Sequence, residues 1–183
     1  MLNEEERAKK AEQFKVFYEV HIKRPGAEQL MDWLEEEGFF EAPASTKYHG
    51  NYAGGLVEHS LNVYLRLIWI ERNERNRTYD DETIAICGLL HDVCKADSYM
   101  LRDGEYKYTN HFPIGHGEKS VIQIQKYMRL TNEEMMAIRW HMGGWDNAVR
   151  GGSYDFNNAS KASKLVSMLH IADMAATYLD ERG

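Results

Sequence analysis

Six residues of metal-ligand type, set into apolar stripes of helical period, constrain this chain more than anything else in it. They are His59, the adjacent pair His91-Asp92, His116, His141 and Asp173, spread over five separate segments. In three of these segments the polar residue falls on the stripe that should face inward. Leu56, His59, Val63, Leu67 and Ile70 follow at intervals of 3, 4, 4 and 3 residues. Ile84, Cys87, His91, Cys94 and Val166, Leu169, Asp173, Ala176 each repeat 3, 4, 3. Those intervals trace one face of an α-helix. A carboxylate buried there without a partner costs several kcal/mol, so something must neutralise it, and a pair of divalent cations is the simplest candidate.

Imidazole nitrogen and carboxylate oxygen suit transition metals such as Mn, Fe, Zn, Co or Ni, and the absence of cysteine from the set argues against a structural zinc knot. Four histidines and two aspartates suffice for two ions if one carboxylate bridges them; a single ion on His59, His91, Asp92 and Asp173 is the alternative. Two ions about 3.5–4 Å apart can share a hydroxide and clamp both ends of a phosphoryl displacement, so no Ser or Cys nucleophile is required. None stands in a nucleophile motif. Taken singly, each residue has a plainer explanation. A histidine on an apolar face is often a hydrogen-bonded core residue, the facing of His116 between Gly115 and Gly117 is unreadable, and His141 falls at a helix end where a charged imidazole is favourable by itself. Lys95, four residues after His91, reads as a phosphate clamp or as a surface lysine. His170 shares a face with Asp173 and either contacts substrate or supports a ligand or the core. His49 would line the mouth, and Trp145 would stack on a base or plug the core through its loop. His21, His111, the run Glu35-Glu36-Glu37 and the acidic clusters near both ends read as solvated.

With 183 residues, 43% of them hydrophobic and 28% charged, the chain should form one well-buried domain. A net charge of −7 argues against a broad nucleic-acid face. No apolar run reaches membrane-spanning length, and the charged N-terminus does not look like a leader. Cys87 and Cys94 stand too far apart on a helix to be bridged, which fits a reducing, cytoplasmic setting. The pattern is almost wholly helical. Helices are expected from Asn3 to about Val20, up to about Glu37, from Leu56 to Asn73, from Asp81 past His91, from Ile114 to Met128, from the capping box at Thr131 to His141, and from Lys161 to Leu179. Tyr99 to Thr109, turning at Asp103-Gly104, should form one small β-hairpin. The Gly- and Asn-rich stretch from Gly143 to Asn158 is long enough to serve as a lid.

The segments GGLVEHS around His59, GLLHDVCKAD around His91-Asp92, GHGEKS around His116, RWHMGG around His141 and LHIADMAA around Asp173 resemble the HD-domain superfamily of metal-dependent phosphohydrolases. The resemblance covers nearly everything from Tyr48 onward, implying an all-α, single-domain helical bundle with its metal-dependent core over residues 41–183 and residues 1–40 packed on it as N-terminal helices. It implies that His59, His91, Asp92 and Asp173 hold a first ion, that Asp92 bridges, and that His116 and His141 complete a second site. Within the superfamily the chain looks most like the HD module of YhaM-type 3′→5′ exoribonucleases, which carry an OB-fold domain for which this chain has no room. A small phosphorylated substrate, such as a nucleotide, is therefore expected, with short RNA as the other candidate. The usual HD-x-GK reads HDVCK here, with Cys94 in place of the glycine. The same ligand set also resembles HD-type di-iron oxygenases, and a non-catalytic nucleotide sensor is the third implied class. Oligomeric state is not legible.

Overall fold

The computed structural model describes residues 2–46, 50–109 and 111–181. Helix α1 (Glu4–His21) starts at a capping box, Asn3 accepting the Glu6 N–H while the Glu6 carboxylate accepts that of Asn3. It is followed by α2 (Ala27–Glu36), α3 (Gly55–Asn73) and α4 (Asp81–Leu90), the last capped by the Asp80 side chain. A 3₁₀ turn at Val93–Lys95 leads into the antiparallel strands β1 (Tyr99–Arg102) and β2 (Glu105–Tyr108). Tyr99 pairs with Tyr108 and Arg102 with Glu105. Positive φ at both Asp103 (53°) and Gly104 (79°) gives the two-residue turn that the Asp-Gly sequence favours. Helices α5 (His116–Gln125), α6 (Asn132–Trp140), α7 (Asn147–Arg150), α8 (Asp155–Ala162) and α9 (Lys164–Ala175) complete the bundle. Among the described residues the fold is all-α apart from this hairpin, and no helix is long and apolar enough to cross a membrane.

Helix α3 is the axis. It packs on α4 along one side and α9 along another, α9 packs on α6, and α6 on α5. The N-terminal helices contribute Phe14, Tyr18, Leu30 and Leu34 to the same continuous core as Leu56, Leu67, Ile86, Leu90 and Leu169. Near the surface of this core Arg24 grips the buried Glu134 through two hydrogen bonds of 2.6 Å and reaches Glu82 at 3.1 Å. Glu134 also closes the capping box of α6, accepting the Thr131 N–H at 2.8 Å. One buried carboxylate thus ties the α1–α2 connection to the start of α6.

Three elements differ from the sequence expectation. Helix α4 stops at Leu90, because the backbone at Asp92 (φ −114°, ψ 19°) leaves the helical region; Cys94 and Lys95 belong to the following 3₁₀ turn. The expected last helix is two helices meeting at Ser163, whose backbone is extended (φ −144°, ψ 125°). The cause is Tyr79: its hydroxyl contacts the Ser163 hydroxyl at 3.2 Å and accepts the Leu165 N–H at 3.3 Å, which a continuous helix would have bonded internally. The stretch from Gly143 to Asn158 is not irregular either. It holds a 3₁₀ turn at Gly143–Trp145, then α7 and the start of α8. Asp146 anchors it, accepting the Ala148 N–H at 2.8 Å and a hydrogen bond from Arg139 at 2.8 Å.

Two predictions follow from this packing. A Cβ on Gly88 would lie 2.6 Å from the Tyr64 Cα, so Gly88→Ala has to push α4 off α3. It should lower stability by about 1–3 kcal/mol, read as a reduced urea midpoint at unchanged m-value. Burial disfavours ionisation of Asp146, yet Arg139 and the α7 N–H groups hold its carboxyl below the usual range. A depressed folded-state pKa stabilises above the unfolded value of about 3.9 and is lost as pH falls through the folded one. Asp146→Asn should therefore cost on the order of 1 kcal/mol at pH 7, and urea titrations at pH 3 and below should show the gap closing.

Candidate metal centre

The five segments that carry the candidate ligands meet at one place. His59 projects from the second turn of α3, His91 and His141 cap the C-terminal ends of α4 and α6, and Asp173 lies near the end of α9. The His59 Nε2 is 3.3 Å from the His91 Nε2 and 3.2 Å from Asp173 Oδ1. Asp92 stands between this group and the rest. Its Oδ2 contacts the Lys95 Nζ at 2.7 Å, the His91 Nε2 at 3.5 Å and the His59 Nε2 at 3.9 Å; its Oδ1 faces the His141 Nε2 at 3.4 Å. His116, the first residue of α5, sits on the far side with its Nδ1 3.8 Å from the Cys94 Sγ. Three sets of convergent donors result: His59, His91 and Asp173; His91, Asp92 and His141; Asp92, Cys94 and His116.

The helix ends explain how two of the imidazoles are aimed. The last carbonyls of a helix have no partner further along the ladder. The His91 Nδ1 donates to Gly88 O at 3.0 Å and the His141 Nδ1 to Ile138 O at 2.7 Å, each a carbonyl of that last turn. With the proton fixed on Nδ1, the Nε2 lone pair points into the site. Asp92 Oδ1 and His141 Nε2 are both buried and neither makes a hydrogen bond. Two buried acceptors facing each other at 3.4 Å are costly unless a proton or a cation lies between them, so the donor set fits a metal on its own chemistry.

The protonation states divide: burial disfavours a charged His141, yet the Asp92 carboxylate facing it holds it above the usual imidazole value. Burial pushes His91 down to about 4 and lowers His116, leaving both neutral and able to coordinate. Burial would also raise Asp92 and Asp173, but the Lys95 charge holds Asp92 well below the carboxylate range, and a hydrogen bond from His59 does the same for Asp173. Burial disfavours a charged His59 as well; its hydrogen bonds to Asp173 and Glu181 outweigh this and hold it up at about 10. Without a metal, a proton on His59 offsets part of the negative charge that a cation would otherwise neutralise.

A cleft of about 1320 Å³ opens above these groups, with His59, Asp92, Lys95, His116 and Asp173 on its floor. Its walls are aromatic. Tyr99 and Tyr108 pair across the hairpin at 5.7 Å between ring centres, and Trp145, half-exposed, stands 6.4 Å from Tyr178. Trp145 is therefore on the cleft wall. His170 is behind it: its Nδ1 donates to His141 O at 2.7 Å and its ring packs between Trp145 and Phe156, away from the cleft. His49 lies outside the described residues.

The acidic residues at the C-terminal end are not solvated as the sequence suggests. Asp180 pairs with Arg66, and Glu181 turns inward to His59 and Asn62. Their pairing depends on a widened last turn, which side-chain periodicity does not register. Tyr52 and the hairpin tyrosines also reach the cleft unforeseen, since lone aromatics in loops and strands carry no spacing signal.

Comparison with known proteins agrees with this construction. A dihydroneopterin 2′,3′-cyclic phosphate phosphodiesterase of Methanocaldococcus jannaschii is 30% identical to the chain over 90 residues, 47% of this chain and 36% of that protein. The chain thus aligns with about a third of the relative's length. No solved structure matches. Residues 56–178, which begin just before His59 and end just after Asp173, match the HD domain, and the chain belongs to the HD-domain family.

Proposed function

We propose that the protein is a metal-dependent phosphohydrolase acting on a small phosphorylated substrate with a planar ring, a nucleotide or a close relative of one, through a phosphomonoester or phosphodiester bond. The observation that carries this is the unbonded, buried pair Asp92 Oδ1 and His141 Nε2, set among convergent donors beneath the cleft. His59, His91, Asp92 and Asp173 would hold one ion, and Asp92, His116 and His141 a second. Divalent ions held there supply Lewis acidity toward phosphoryl oxygen and acidify water near neutral pH.

The chain's own groups do the rest. Lys95, on the cleft floor and already 2.7 Å from Asp92, is placed to donate to a phosphoryl oxygen as negative charge grows there. Tyr108 and Trp145, each about half-exposed on the walls, offer ring faces to a base. The net charge of −7 disfavours a long polyanion. The relative's name pairs a cyclic phosphate with dihydroneopterin, which supports a substrate joining ring and phosphate and favours the diester. Two free, buried cysteines suit a cytoplasmic setting.

Metal analysis of the purified protein, followed by a phosphate-release screen over nucleotides, cyclic nucleotides, cyclic dinucleotides and short RNA, tests the proposal. Mn- or Co-stimulated release from the small substrates is expected; two irons that consume O₂ with no phosphate released would overturn it. Asp92→Ala should lose both metal and turnover, and an active, metal-replete variant would remove Asp92 as the bridge. Lys95→Ala should keep its metal and lose on the order of 10²–10³ in kcat/KM on the best substrate.

A further inference from the structure

We propose that Glu181 is a positioning residue of the metal centre: its carboxylate fixes His59 in the tautomer and orientation that present Nε2 to the ion. The inference rests on the metal-dependent reading above and extends it to a residue outside the six ligands.

His91 and His141 borrow helix-end carbonyls to hold their Nδ1 protons. His59 has no such recourse. It lies inside α3, where the nearby carbonyls are engaged in the helical ladder, so its Nδ1 needs an acceptor from elsewhere in the chain. Glu181 supplies one. The His59 Nδ1 lies 3.1 Å and 3.2 Å from its two carboxylate oxygens. A carboxylate only accepts, so a proton sits on Nδ1; Nε2, which donates to Asp173 when no metal is bound, is the atom a cation would take over. Asn62, one turn along α3 from His59, donates to the same carboxylate at 3.0 Å and keeps it in register. The Glu181 side chain is 5% exposed, so the contact is shielded from competing water.

The backbone is built to deliver it. Glu181 is eight residues beyond Asp173, which on a regular α-helix would set it about 80° around from that ligand. Instead, α9 widens into a π-type turn at Ala176–Asp180, and the Glu181 N–H donates to Ala176 O at 3.1 Å. One extra residue in the ladder turns position 181 back to within about 20° of Asp173, so both carboxylates reach the same imidazole. Asp180 fastens the turn through Arg66, whose Nε donates to Oδ2 at 2.7 Å.

The test is calorimetric titration of the metal-stripped full chain with Mn²⁺, together with the visible spectrum of the Co²⁺ form. Glu181→Ala should weaken Mn²⁺ about 10–100-fold and shift the Co²⁺ bands, while far-UV circular dichroism stays that of the wild type. Glu181→Gln keeps an acceptor oxygen and should lose less, about threefold or more. Wild-type Mn²⁺ affinity and Co²⁺ spectrum in both variants would overturn the role of Glu181. If Glu181→Ala does not fold, Glu181→Gln decides alone by the same criterion. A wild-type chain that takes up neither Mn²⁺ nor Co²⁺ would overturn the metal reading itself, and the inference with it.

Discussion

Everything in this molecule is arranged around the cost of burying two aspartates among imidazoles. Asp92 is nearly sealed from solvent and Asp173 is largely so, yet both are held ionised. Such a cluster survives in a core only if opposite charge is supplied at close range and remaining lone pairs find partners. Lys95 and a charged His59 provide part of that. The part left over is the unbonded face between Asp92 and His141. The apolar packing of α3, α4, α5, α6 and α9 is what brings these groups to one point.

The fold was legible wherever periodicity carried it. The inward stripes of α3 and α9 place His59 and Asp173 where the sequence suggests, and the Asp103-Gly104 turn forms as its residues require. The boundaries were less so. Tyr79 breaks the last helix from more than eighty residues away, and a hydroxyl with that reach leaves no mark on the local pattern of residues 155–175. The early end of α4 at Leu90 is similar: Cys94 continues the 3, 4, 3 spacing, but the backbone at Asp92 has already turned.

In the site, residue types of narrow chemistry were visible and versatile ones were not. A histidine on an apolar helix face invites explanation, whereas a tyrosine in a hairpin or a glutamate in an acidic tail does not. Tyr99, Tyr108 and Glu181 therefore carry no site signal in the sequence, though the first two shape the cleft and the third touches His59. His170 shows the converse. Its spacing pairs it with Asp173, but its ring supports the His141 backbone and the back of Trp145.

The placement of His91 and His141 at the ends of α4 and α6 has an electrostatic consequence as well. The aligned peptide dipoles of a helix gather a partial negative charge of about half an electron at its C-terminal end. Two such ends converge on one cavity here, so the backbone itself adds a field that favours cations over and above the carboxylates. That contribution cannot be titrated away, since no side-chain protonation abolishes it.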